Sequence, residues 1–262
     1  MKIQDRFGEE EKTQELGTVT VKNDGENTDR KQIFLREHEL TIMINETEAV
    51  RLVCTASDLV NLVAGRLISE GFAESIEDFE SIYICDTGHR ARVFLKAEVS
   101  KETVPEVPTC CTDNTNLVKP ARSLKEIGTS VKVKPVDIFG LVESFVTDGN
   151  LHRGTGSTHS AYLMCGGETV YGCEDIGRHN ALDKAIGEIF IKGYAPQECL
   201  IFTTGRIPTD MVKKAVRAGI GGLVSKSVPT AQALELAEQY GLNLYFKAWP
   251  DSYEMLNGTS PE

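Results

Sequence analysis

The sequence predicts an α/β protein with a smaller α+β part at its N-terminal end. Three observations predict it. After Pro135, short apolar runs alternate with helical periodicity, the order that gives parallel strands joined by right-handed crossovers. Before residue 100, a helix and a hairpin stand instead. Between the two parts, residues 100–134 carry Pro105, Pro108 and Pro120 and little periodicity, the mark of a long loop. The expected division is a loose segment over 1–30, a small α+β domain over 31–134 that includes the loop, and an α/β domain over 135–262.

The elements follow in chain order. Leu16 to Val21 is a weak strand signal, and Glu39 to Asn45 a stronger one. Thr55 to Glu70 reads as a helix, with Ser57 as N-cap, Asp58 in the first turn and Leu59, Leu62, Val63, Leu67 and Ile68 as its apolar stripe. Ser81 to Cys85 and Arg92 to Val99 read as a hairpin around Asp86-Thr87-Gly88. Val136 to Val146 is a helix, and Ser160 to Cys165 and Glu168 to Cys173 are strands around Gly166-Gly167. Three strand–loop–helix units complete the chain. The first has its helix running to about Lys192, with Asn180 as N-cap and Asp183 as the capping-box partner. The second has a strand at Leu200 to Thr203 and a helix from Thr209 to Arg217. The third has a strand at Gly222 to Ser225 and a helix from Thr230 to Gln239, and a last strand covers Leu242 to Lys247.

Composition excludes some classes. A net charge of −11 argues against a nucleic-acid partner, because neutralising phosphates needs a basic face. No run approaches the ~20 apolar residues of a membrane span. Met1 to Lys12 is too charged for a signal peptide, so a cytoplasmic protein is expected. Seven cysteines, an odd number, argue against a disulfide framework; Cys54, Cys85, Cys165 and Cys199 read as small buried hydrophobes.

Against that acidic background the cations after the strands stand out. Arg178 and His179 precede the first predicted helix, Gly205-Arg206 the second and Lys226 the third. In an open α/β sheet these turns lie at the carboxyl edge, where ligands bind and helix N-termini present free N–H groups. Arginine also meets phosphate in a bidentate fork. An anionic, phosphate-bearing ligand is expected there, although ordinary salt-bridged polar loops would look similar. The loops contain neither a P-loop nor a G-x-G-x-x-G turn.

Cys110-Cys111, in the long polar loop, suits sulfur transfer, since an accessible thiolate can attack a persulfide. A vicinal disulfide, a metal ligand or an incidental exposed pair are the alternatives. Zinc held by His159 with Cys110, Cys111 or Cys173 is the sharpest of these. His159 is followed by Ser160-Ala161, however, so the His-x-Glu of zinc deaminases is missing, as is any Cys-x-x-Cys.

Glu174 to Lys184 (Glu-Asp-Ile-Gly-Arg-His-Asn-Ala-Leu-Asp-Lys) resembles the signature of the FdhD family of formate dehydrogenase accessory proteins. The likeness continues through Thr204-Gly205-Arg206, Asp210-Met211-Val212, Ala218-Gly219-Ile220 and Ser225 to Thr230, and upstream through Leu40 to Asn45, Asp58 to Gly71 and Gly156 to Ala161. The resemblance implies a cytidine deaminase-like C-terminal domain, a homodimer, and a sulfur carrier or sulfurtransferase. Sulfur would come from a cysteine desulfurase onto a loop cysteine and pass to the molybdenum bis(molybdopterin guanine dinucleotide) cofactor of formate dehydrogenase. It places Cys111 at the reactive position and Cys110 where the family often has glycine. It also implies cofactor contact by Phe246, Lys247, Ala248, Trp249, Pro250 and Asp251, with Trp249 suited to stacking. No stoichiometric zinc is expected. The alternatives are a zinc-dependent deaminase-like hydrolase and a non-catalytic nucleotide-binding chaperone.

Overall fold

In the computed structural model, residues 1–8, 10–97, 124–128 and 133–256 are described. Cys110 and Cys111 lie outside these residues. Chain order opens with β1 (Lys2–Asp5), β2 (Thr13–Val21), β3 (Asn27–Leu35), β4 (His38–Ile44), β5 (Thr47–Cys54) and helix α1 (Leu59–Ser69), then β6 (Phe79–Ile84) and β7 (Arg90–Leu95). A five-stranded sheet has the order β1-β6-β7-β4-β5. Alternation turns Leu40, Ile42, Leu52, Ile82 and Val93 to one face, where all are buried.

The C-terminal part contains α2 (Pro135–Asp148), α3 (Asn150–Thr155), β8 (His159–Cys165), β9 (Glu168–Asp175), α4 (Arg178–Lys192), β10 (Cys199–Thr203), α5 (Thr209–Ala218), β11 (Gly222–Ser225), α6 (Ala231–Tyr240), β12 (Asn243–Phe246) and β13 (Glu254–Met255). The second sheet has the order β13-β12-β11-β10-β8-β9. Its centre is parallel, β10 to β11 to β12, as expected; the hairpin β8–β9 and the short β13 add antiparallel edges. One face of this sheet (Leu163, Ile201, Leu223, Leu244) shares a core with α1, α4, α5 and the first sheet. The other face (Tyr162, Met164, Phe202, Val224, Tyr245) is covered by Ile138, Leu141 and Val142 of α2.

Helices α1 and α4 touch along their backbones. A Cβ on Gly65 would overlap the Asp183 carbonyl, and one on Gly187 the Asn61 carbonyl. This close approach joins the N-terminal and C-terminal parts across one apolar core.

Several local expectations change. The N-terminal segment contains paired strands: β1 pairs in parallel with β6, and β2, which includes the expected Leu16 to Val21 strand, pairs with β3 in a ribbon. The ribbon leaves Leu16, Val19, Val21 and Ile33 exposed, so it has no one-sided apolar pattern to read. Strand β5 and helix α3 were not expected at all. The cap of α1 is Asp58, at φ 51°, rather than Ser57, and no side chain caps it. Ser57 instead receives a hydrogen bond from Lys184 Nζ at 3.3 Å. Cys165 and Cys199 are not separate core residues. They face each other across β8 and β10 with Cα atoms 4.6 Å apart and form a disulfide, a separation within the span such a bond accepts. Cys85 is only half-buried. No helix is long and apolar enough to cross a membrane among the described residues.

Candidate functional site

Strand direction decides where the predicted loops go. β8 is antiparallel to both β9 and β10, and β10, β11 and β12 are parallel, so β9 through β12 end on one edge except β8, which begins there. The loops carrying Arg178, Gly205-Arg206 and Lys226, the segment after β12, and His159 therefore meet at a single carboxyl edge.

Most of the block from Glu174 to Asn180 builds that edge rather than facing a ligand. Glu174 accepts from the Leu151 and His152 N–H groups at 2.9 and 2.7 Å and so holds the first turn of α3. Asp175 is fully buried and paired with equally buried Lys184 at 2.7 Å. It also accepts from the Gly177 N–H at 2.9 Å, from Asn180 Nδ2 at 2.9 Å and from the Thr55 N–H at 3.1 Å. Burial works against the charge of Lys184, but the Asp175 carboxylate outweighs it and the ammonium pKa is raised. Asn180 is not the helix cap. Its amide is drawn to Asp175 and to the Val53 carbonyl at 2.9 Å, and α4 starts earlier, with Gly177 at the N-cap. Asp183 is likewise no capping-box partner, because it meets Lys214 Nζ at 2.9 Å and Ser69 Oγ at 2.6 Å. Arg178 and His179 thus lie within the first turn of α4, rather than before it.

His179 is buried, and its Nε2 sits 3.0 Å from Asp210 Oδ2 in the first turn of α5. It ties the first loop to the second. Arg178 packs against Gly205, where a Cβ would come within 2.7 Å of the Arg178 Cβ. Glycine is needed there for close approach, not for an unusual turn. Arg206 is exposed. The second and third loops are laced together: Ser225 Oγ donates to the Gly205 carbonyl at 2.9 Å, and Ser227 Oγ to the Thr204 carbonyl at 3.1 Å. Helices α4, α5 and α6 all direct their N-terminal ends, with their partial positive charge, toward this edge.

The last segment closes one side. The Ala248 N–H donates to the Ser225 carbonyl at 3.0 Å, and Ala248 is buried. Trp249 is 46% exposed, and Lys226 Nζ lies 5.2 Å from its ring centroid and 5.4 Å from that of Phe145. Those distances are within cation–π range. Lys247 pairs with Glu254 at 2.8 Å, Phe246 is half-buried, and Pro250 and Asp251 are exposed. Phe145, Ser225 and Ser227 were not singled out from sequence; only the fold brings α2 and the two serines beside the cations.

His159 opens β8 opposite Asp175, with Nδ1 3.4 Å from Thr204 Oγ1. Cys173, the proposed zinc partner, is committed to the core: its Sγ donates to the Ala181 carbonyl at 3.4 Å, and burial pushes its thiol up to about 12. Arg178, Arg206 and Lys226 line neither of two cavities, of about 990 and 800 Å³, found among the described residues.

Fold and edge together define a mixed α/β protein with a cationic, helix-capped site at the ends of its parallel strands. The chain belongs to the FdhD/NarQ family, whose model matches residues 35–259. Similar relatives carry the name sulfur carrier protein FdhD. One from Listeria monocytogenes serotype 4b is 33% identical over 215 residues, 79% of this chain and 82% of the relative. Another, from Halalkalibacterium halodurans, is 31% identical over 221 residues, 81% and 82% of the two chains. A crystal structure assigned to a formate dehydrogenase accessory protein from Desulfotalea psychrophila superposes with a TM-score of 0.76 at 22% identity, covering 94% of this chain and 97% of that one. That likeness shows the shared fold.

Proposed function

We propose that this protein is a cytoplasmic, homodimeric sulfur carrier for formate dehydrogenase. The family match over residues 35–259, with relatives named as sulfur carriers, is the observation that carries the reading. A cysteine desulfurase presents a persulfide. The Cys111 thiolate, with Cys110 beside it, attacks the terminal sulfur, the donor cysteine leaves as a thiolate, and the protein holds the new persulfide. The sulfur acceptor is the molybdenum bis(molybdopterin guanine dinucleotide) cofactor, bound as substrate at the carboxyl edge before insertion into the enzyme. The deaminase-like description of the C-terminal part belongs to the same reading.

The edge supports a pyrophosphate. Arg178 and Arg206 supply forks that match phosphate oxygens, Lys226 a point charge, and three helix N-termini a partial positive charge. Trp249 offers an exposed aromatic face for a guanine or pterin.

Two measurements test this. After incubation with a desulfurase and cysteine, mass spectrometry should find one added sulfur on the peptide containing Cys110 and Cys111, and Cys111→Ala should abolish it. Persulfide on neither cysteine overturns the carrier reading. Calorimetry should find GDP binding that weakens by about 10- to 100-fold in Arg178→Ala and in Arg206→Ala, the range expected for losing a hydrogen bond to a charged group. GDP binding that is absent, or unchanged in both variants, overturns the site.

A further inference from the structure

We propose that His159 is an additional ligand-positioning residue of this edge, donating a hydrogen bond from its Nε2–H to the bound anion. The proposal rests on the reading of the edge as a phosphate site.

Three observations carry it. The first is placement. His159 stands opposite Asp175 at the end of β9, and the next residue, Ser160, exchanges hydrogen bonds with Thr204: the Thr204 N–H donates to the Ser160 carbonyl at 3.1 Å, and the Ser160 N–H donates to Thr204 Oγ1 at 3.0 Å. Thr204 directly precedes Gly205-Arg206. His159 is therefore held between the loop of Arg178 and the loop of Arg206.

The second is the tautomer. A threonine hydroxyl has one proton to give. The Ser160 N–H donates to Thr204 Oγ1, and we assign the hydroxyl proton to His159 Nδ1, 3.4 Å away. Nδ1 is then the acceptor and the ring proton resides on Nε2, an assignment made from the hydrogen-bond network. Nε2 makes no hydrogen bond among the described residues, and the ring is only half-buried.

The third is the electrostatic setting. Burial lowers the His159 pKa, followed by the Arg178 charge of α4 and by His152 of α3; Asp175 of β9 opposes them, and His179 of α4 adds a small lowering. The free protein thus holds a neutral imidazole among cations. An anion bound between Arg178 and His159 reverses the sign of the local field and favours the imidazolium, so binding takes up a proton. The bound-state pKa is then above the free-state value. Affinity rises as pH falls through the bound-state value, and the gain is complete below the free-state value.

The test is calorimetric, with GDP as probe, on the full chain from pH 6 to pH 8. His159→Gln keeps a donor near the Nε2 position but cannot titrate; His159→Ala removes the donor. GDP's own phosphate protonates near pH 6 in every titration, so the quantity read is the ratio of variant to wild-type Kd. For His159→Gln that ratio should stay within about twofold at pH 8 and rise to about threefold at pH 6, part of the roughly tenfold that one unit of pKa difference gives only below the free-state value. His159→Ala should bind about tenfold more weakly already at pH 8. A ratio for His159→Gln that does not change with pH, or wild-type affinity in His159→Ala, overturns the role of His159 while leaving the phosphate site standing. Absence of GDP binding by the wild type removes both.

Discussion

Cysteine chemistry separates residue by residue once burial is known. Cys54 and Cys173 sit in the core, where burial pushes each thiol up to about 12. Burial also pushes on Cys85, but the Thr87 hydroxyl and the N–H groups of Arg90, Thr87 and Gly88 outweigh it and hold that thiol below its ordinary value. Because the thiolate is the reacting form, iodoacetamide at pH 8 should label Cys85 at least tenfold faster than Cys54 or Cys173, as followed by peptide mass spectrometry; equal rates would contradict the burial. Sequence reasoning placed Cys54 correctly among apolar neighbours, yet placed Cys85 there too. Both end apolar runs, and only the hairpin turn beyond Cys85 exposes one of them.

At the scale of elements, the crossing of α1 and α4 depends on two glycines without side chains. Gly65→Ala and Gly187→Ala put a methyl group into the facing helix backbone, which cannot rotate away. Each should lower stability by about 3 kcal/mol, the upper part of the range for overpacking, measured by urea denaturation. Gly154→Ala, in α3 with nothing within 4 Å of the new Cβ, is the control and should change stability by less than about 1 kcal/mol. The helix periodicity that located α1 and α4 was legible, since Leu59, Leu62, Val63, Leu67 and Ile68 are all buried. The caps were not. Ser57 and Asn180 have the chemistry of caps, but Lys184, Asp175 and the Val53 carbonyl compete for their side chains.

The whole molecule is joined by the buried pair Asp175–Lys184, which links the segment leading into α1 to the β9–α4 turn. Lys184 Nζ donates to the Thr55 carbonyl at 3.3 Å, and Asp175 accepts from the Thr55 N–H at 3.1 Å. Asp175→Asn or Lys184→Met alone leaves an uncompensated buried charge and should destabilise the protein by about 3–5 kcal/mol. The double variant should recover part of that loss in a thermodynamic cycle. If the double variant is as unstable as the sum of the two, the pair is not coupled. Because one core spans both sheets, the N-terminal and C-terminal parts should unfold in the same transition.

What the sequence determined by itself was the set of local elements and the spacing of cations after strands: three loops, each with a basic residue, in a chain of net charge −11. The family block was legible for the same reason, as a contiguous string. Tertiary structure alone decided what each residue of that block does, since Glu174, Asp175, His179 and Asn180 turn to partners in α3, Thr55, Asp210 and Val53 while Arg178 packs on Gly205. It also decided the pairing of β1 with β6, the Cys165–Cys199 bond and the position of His159 between two loops. Periodicity records which face of an element is apolar. It carries no record of which distant element meets that face, and contacts such as Thr55 with Asp175, 120 residues apart, are set only when the chain closes on itself.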